Sequence, residues 1–331
     1  MRITNTMIRR NYQSNLNQSL GALNTSRTQM ETGRKYSQSY MEPIDSSRAS
    51  VLENRYARNA DYKNSVEDSM KFQDVQEGVV MEINKITTEI SKKYGMEAVS
   101  DTSASVRESY AETFRAMQES MVFSLNTKYG DVYAMGGADA ANPPFQIEDD
   151  GTVTFRGLDV NDTANFTQLE EFAKESTYVD LGFGMEFDAT GKVVPSSAFN
   201  AAYPGINVVG FGNTAEGQSE NVIVLLGEMA DVLEAEPFDR GAYEDLWMQF
   251  EEGSKHVKDC FTEIGTKSAL LTATKERLEE EELSIIKSFD EKVNIEATEA
   301  ILNFTYDNYI HSAVLKMGTN ILTNSLLDFL R

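Results

Sequence analysis

Apolar residues recur at three- and four-residue steps through most of this chain, and at two-residue steps only in one central stretch. Residues 1–32 read as a helix with a thin apolar stripe: Ile3, Met7, Leu16, Leu20, Leu23 and Met30. Asn, Gln, Ser and Thr fill the rest, so this helix cannot hold itself together alone. Thr32-Gly33-Arg34-Lys35 is a helix stop, with Gly33 free to take the left-handed cap conformation. A loop runs to Glu42-Pro43-Ile44, where Asp45, Ser46 or Ser47 can cap a second helix over about 46–94. Its stripe includes Leu52, Tyr62, Val66, Met70, Val75, Val79, Ile83, Ile86 and Ile90. A third helix spans about 104–128, with Val106, Tyr110, Phe114, Met117, Met121 and Leu125 on one face.

The period changes near residue 129. Gly, Pro and aromatic residues rise, and alternation replaces the helical step. Phe145-Gln146-Ile147 and Val153-Thr154-Phe155 flank Asp149-Asp150-Gly151, a hairpin signal. Val179, Leu181, Phe183, Met185 and Phe187 alternate as a strand would, and Ile206 to Phe211 predicts another. Helical spacing returns at Asn221–Leu233 and again after Arg240-Gly241, with Tyr243, Leu246, Trp247 and Phe250. A separate long helix is expected from Val257, where a 4-3 walk visits Val257, Phe261, Ile264, Ser268, Leu271, Lys275, Leu278, Glu282, Ile285 and Phe289. Seven of those ten are apolar, a heptad seam with the interruptions of a bundle rather than of a dimer zipper. Residues 296–331 are helical to the end. Ile310, Val314, Met317 and Ile321 form one face, and Leu322, Leu326 and Phe329 an adjacent one.

The predicted fold is therefore mainly α with a β-rich insertion. N- and C-terminal segments form an elongated helical bundle or coiled coil, and the insertion lies at its far end. The domain reading is an assembly arm at 1–44 together with 295–331, a bundle core at 45–128 and 217–294, and the insertion at 129–216. The terminal seams are the candidate interface: Ile3, Met7, Leu16, Leu20, Leu23, Ile310, Val314, Met317, Ile321, Leu322, Leu326, Leu327, Phe329 and Leu330. An apolar tail such as Ser325-Leu326-Leu327-Asp328-Phe329-Leu330 calls for a partner, within the fold or in another copy.

Charge sharpens this division. The net charge is −23, which argues against binding to nucleic acid or to an anionic membrane surface. Residues 1–41 hold six basic groups and one acidic, residues 300–331 balance, and the span 42–299 carries −28. Like charge opposes stacking of copies, and the ends are where it is lowest. Chemistry is sparse. The single cysteine, Cys260, excludes an internal disulfide and reads as a core residue in a helix. His256 stands four residues before it, but the second ligand pair of a closed zinc centre is missing, so no metal is expected. No phosphate-binding glycine motif, zincin motif or nucleophile elbow occurs. No enzyme activity and no cofactor are expected. The longest apolar run, Val222 to Leu226, is too short to span a bilayer, and the first residues carry no apolar leader.

Several segments are similar to a known family. Met1-Arg2-Ile3-Thr4-Asn5-Thr6-Met7 resembles the opening of flagellin-like proteins, as does the Thr32-Gly33-Arg34-Lys35 turn with its proline loop. Residues 320–331 resemble the ending of the hook-associated branch, and Tyr129 to Gly137 with Pro144-Phe145 the start of that branch's inserted domain. At Met41-Glu42-Pro43 the family often carries two acidic residues before the proline, where this chain has one. The resemblance implies a flagellin-like fold and a structural role at the hook–filament junction of the bacterial flagellum. It implies self-association in a ring, contacts with the hook-side junction protein FlgK and with flagellin, and a cytosolic export chaperone on the C-terminal helix. It implies type III export with a signal that is not cleaved, hence an extracellular location. A flagellin-type filament subunit is the alternative within the same superfamily.

Overall fold

The computed structural model describes residues 5–95, 98, 103–139, 141–214 and 217–329, without the side chains of Asn5 and of 320–329. Long helices dominate: α1 (Asn5–Thr32), α2 (Pro43–Glu89, continued by a π-turn at Ile90–Tyr94), α3 (Ala104–Leu125), α6 (Val222–Glu234), α7 (Arg240–Val293) and α8 (Ala297–Phe329). Short elements fill the centre: β1 (Lys128–Tyr129), β2 (Val132–Tyr133), β3 (Phe145–Ile147), β4 (Val153–Phe155), β5 (Leu158–Asp159), α4 (Phe166–Ala173), β6 (Tyr178–Val179), β7 (Phe199–Asn200) and α5 (Ile206–Val209). All strand pairs are antiparallel, in the orders β1-β2, β3-β4-β5 and β6-β7. The mainly α chain with an inserted β-rich segment is thus as the periodicity indicates.

The chain divides into two compact units, one of Met1–Ala60 with Glu279–Arg331, the other Asp61–Leu278. The second unit holds the main core. Its α3 buries Ala111, Phe114, Gln118, Met121 and Leu125, a 3-4-3-4 step that faces α6. Helix α6 is buried on nearly all sides, nine of its 13 residues being inaccessible, which suits its almost unbroken apolar composition. Its first turn is capped by Asn221, whose side chain accepts from the amides of Ile223 and Val224. Gln118 donates to the Ile223 carbonyl at 2.9 Å and lies against Gly227, where any larger residue would collide with it. Tyr243 and Phe250 of α7 complete this core, with the Tyr243 hydroxyl donating to the Gly95 carbonyl at 2.8 Å. Burial pushes that phenol's pKa up.

The insertion is tied to the helices by polar side chains acting as backbone. The Asn126 amide, just past α3, donates to the Phe145 carbonyl at 2.8 Å and accepts from the Phe145 amide at 3.0 Å, like one more strand residue beside β3. Gln76 of α2 donates to the Ala134 carbonyl at 2.9 Å. Arg156 makes two bonds of 2.9 Å to Glu175 and lies 4.6 Å over the Phe172 ring, an ion pair largely withdrawn from solvent. A second small cluster joins Val66 of α2, Leu271 and Leu278 of α7, Leu181 and Phe199.

Hairpin β3–β4 forms as expected, with Phe145 opposite Phe155. The heptad walk from Val257 is also real: Val257, Ile264, Leu271, Leu278 and Ile285 are buried. Three readings need correction. The alternating run from Val179 to Phe187 is not one strand, because Gly182 and Gly184 turn through φ of 85° and 77° and leave Phe183 and Phe187 exposed. Ile206–Val209 is a helical turn between Pro204 and Gly210, and it buries Ile206, Val208 and Val209 together. The helix at Arg240 does not end before Val257. It runs on through Gly253 as a single helix of 54 residues, the glycine lying against Val222 rather than breaking the helix. Helix α4, with Leu169 as its buried anchor, lies in a stretch read as β-rich.

Candidate assembly surface

The first unit is built on α1 and α8, which run antiparallel and touch along much of their length. Their common end is fixed by backbone. Gly33 takes φ of 68° as the cap of α1, the Lys35 amide donates to the Val293 carbonyl at 2.8 Å, and the Ile295 amide donates to the Gly33 carbonyl at 2.9 Å. The Lys35 ammonium donates to the Glu291 carbonyl at 2.6 Å. This small antiparallel bridge aligns the two helices.

The contact line on α1 steps through Tyr12, Leu16, Ser19, Leu23 and Ser26, each less accessible than its neighbours. On α8 it steps through Ala300, Phe304, Asp307, His311, Val314 and Gly318. Both are 4-3 repeats, the geometry of a two-helix seam. Its interior is small and polar. Among the described residues of α1, Ser19 and Ser26 are the buried side chains. Ser26 donates back to the Ala22 and Leu23 carbonyls, while Ser19 donates to Leu16 and lies 3.1 Å from His311 Nδ1. The Tyr12 hydroxyl fills the space left by Gly318, where an added methyl would overlap it. Small residues let the helices approach closely but bury little apolar area, so the pairing is worth little per turn.

The seam residues named from sequence sit as follows. Leu16, Leu23, Ile310 and Val314 are half-buried. Met7, Leu20 and Met317 are exposed, at 53%, 44% and 62%. Ile321, Leu322, Leu326, Leu327 and Phe329 lie on the helical backbone of α8, with their side chains outside the described residues; Ile3 and Leu330 lie outside them altogether. Sequence spacing alone missed Ser19, Ser26, His311 and Gly318, because an apolar search skips small and polar seam positions. The signal present is a seven-residue spacing, Ser19 with Ser26 and His311 with Gly318, which marks a seam only once the two helices are known to pair.

A second feature of α8 was not anticipated. Leu302, Tyr306, Tyr309 and Met317 are all exposed, the two tyrosines at 66% and 73%. At 100° per residue they form a face roughly 140° around the helix from the seam. Helix α1 likewise exposes Met7, Ile8, Leu20 and Met30. Its charge is basic, with Arg27 held by Glu31 at 2.8 Å, a bond that raises the guanidinium pKa further. Tyr36, near the bridge, has a buried hydroxyl with no partner among the described residues, and burial pushes its pKa up, with Asp45 adding to the effect. Such a unit presents apolar helical faces to whatever packs on it.

This arrangement, with long terminal helices paired and a folded segment inserted between them, is found in solved flagellar proteins. A flagellar hook-associated protein of Vibrio parahaemolyticus superposes with a TM-score of 0.59 at 12% identity, over 77% of this chain and all of that one. The chain has the fold of these proteins. FlgL of Bacillus cereus matches with a TM-score of 0.52 at 17% identity, over 72% of this chain and 98% of its own. FlgL of Xanthomonas campestris matches with 0.53 at 12% identity, over 72% and 99%. No protein-family model and no curated protein matches the sequence. The FlgL fold is therefore shared at 12–17% identity, too low for residues to be transferred one by one.

Proposed function

We propose that this chain is a structural subunit of the bacterial flagellum, the junction protein between the hook-side junction protein FlgK and the flagellin filament. The observation that carries this reading is the first unit: α1 and α8 meet along a thin polar seam and leave apolar faces uncovered, in a chain with the FlgL fold. In a ring of copies those faces, with the terminal seam residues, find partners and gain the burial a single chain does not supply. The apolar C-terminal helix is the part a cytosolic export chaperone would guard. Export through the type III apparatus and a place outside the cell follow from the same reading, as does a role without catalysis.

Deleting the gene tests this directly. Hooks should remain intact while flagellin is secreted without polymerising into filaments. Normal filaments in the deletion strain would overturn the junction role. Copy number separates the filament-subunit reading: a junction protein is a trace component of sheared flagella, whereas a filament subunit dominates them.

A further inference from the structure

The loop that leaves α1 carries charge that the chain itself does not match. A recess of about 150 Å³ lies between the last turns of α1 and this loop, with Asn24, Thr28, Gln29, Arg34, Tyr36 and Ser37 among its walls. It is the size of the end of one side chain. The loop's path is fixed by hydrogen bonds. The Gln29 side chain donates to the Lys35 carbonyl at 2.7 Å, and the Gly33 amide donates to the Gln29 carbonyl at 2.8 Å. The recess is therefore formed before anything enters it.

Most cations at this end of the unit are already engaged. Arg27 is held by Glu31 at 2.8 Å. Arg48 and Lys292 share Asp45, each at 3.8 Å. The Lys35 ammonium meets the Glu291 carbonyl rather than a carboxylate. The exposed Arg34 guanidinium has neither an ion pair nor a hydrogen bond among the described residues. Beside it, the Tyr36 hydroxyl is shut off from solvent and has no partner among them either. Burial, then Asp45, Glu53 and Glu42, push that phenol's pKa up against the opposing pull of Arg34, so the hydroxyl keeps its proton and stays a donor.

One chemical group answers both. A carboxylate can accept two parallel bonds from a guanidinium and a third from a hydroxyl. Its source follows from charge. A free anion must approach a chain of net charge −23. A neighbouring copy instead brings its carboxylates at high local concentration. Its span 42–299 carries −28, whereas residues 1–41 hold six basic groups and one acidic.

We propose that the Arg34–Tyr36 recess is a docking site for an Asp or Glu side chain of a second copy, presented by that copy's acidic span 42–299. This rests on the junction reading, in which copies stand side by side. The contact joins the basic end of one copy to the acidic body of the next. It is heterologous, so it repeats around a ring instead of closing as a pair. An exposed ion pair alone adds little. The contact gains from the hydroxyl and from the two-bond geometry, while like charge between acidic bodies disfavours other pairings.

The test places the photo-crosslinker p-benzoylphenylalanine at Ser37, on the wall of the recess, in the full chain in cells. After irradiation, digested flagella should yield an adduct between two copies whose second site lies within 42–299. An adduct only to residues 1–41 or 300–331 of a neighbour, only within one chain or only to a different protein, or no adduct, overturns the proposal. Arg34→Glu should cut incorporation at least tenfold, and Arg34→Lys and Tyr36→Phe severalfold, with the circular dichroism of the purified chain unchanged. Incorporation of Arg34→Glu at the wild-type level overturns it as well. Normal filaments in the deletion strain sink the junction reading alone, since the adduct reports the copy-to-copy contact wherever the chain assembles.

Discussion

The two units solve the same problem of helix packing in opposite ways. The second unit excludes water. Phe114, Met121, Leu125, Tyr243 and Phe250 are fully buried, and polar side chains such as Gln118, Asn126 and Gln76 stand in for missing backbone partners. The first unit keeps a narrow seam whose buried side chains on α1, among the described residues, are two serines, and leaves leucines, methionines and tyrosines on its surface. One unit is complete as a fold. The other is complete as a helix pair but unfinished as a surface. Core burial and uncovered apolar surface are therefore separable in this molecule, because they belong to different residues.

The largest expected effect tests that separation in the core. Phe114→Ala should cost about 3–5 kcal/mol in denaturant unfolding. The matching truncation in the seam, Leu16→Ala, should cost about 1 kcal/mol, since that side chain is only half-buried. Equal costs would erase the contrast. Next comes Glu175→Gln, which leaves Arg156 facing an uncharged amide in a site with little solvent; a loss of about 2 kcal/mol is expected. A loss below a few tenths would show that the pair is solvated after all.

Smaller effects probe the first unit. Gly318→Val drives a side chain into Tyr12 and should loosen the α1–α8 pairing by about 1–2 kcal/mol. Faster amide exchange confined to those two helices, with the main unfolding transition unmoved, is the expected signature. A shift of the main transition would mean that the seam helps to hold the core. The pH dependence of His256 is smaller still. Its raised pKa means that its contribution is fully present below about 6.5 and fades as pH climbs to about 9. Wild type and His256→Gln should therefore differ in unfolding stability at pH 6 and converge above pH 9. Last, Tyr309→Ser should change folding stability by no more than about 0.5 kcal/mol while impairing incorporation into flagella. Normal incorporation would remove that face of α8 from the assembly surface.

Much of the fold was legible because its periodic signals are strong. The α3 step at Phe114, Met121 and Leu125 and the α7 step from Val257 to Ile285 are apolar side chains repeating at helical intervals, and they are buried as the repeat requires. Errors gathered where a local pattern had two solutions. Apolar residues alternate from Val179 to Phe187, yet two glycines at positive φ end the strand early. Ile206–Val209 can be a strand or a helical turn, and packing chose the turn because it buries three of the four side chains at once. At the candidate surface the sequence named residues on α1 and α8 but not the line along which those two helices touch. The walk through Ile310 and Met317 follows large apolar groups, whereas the line through His311 and Gly318 follows size and fit.

The sequence by itself determined the long terminal and internal helices, the position of the inserted segment and the separation of acidic body from basic end, since these follow from spacing, turn residues and charge within short stretches. Only the tertiary structure decided which face of each helix is consumed within the chain and which is left over. That choice depends on residues hundreds of positions apart, such as Ser19 with His311 and Tyr12 with Gly318, whose complementarity in size and hydrogen bonding has no signature along the chain.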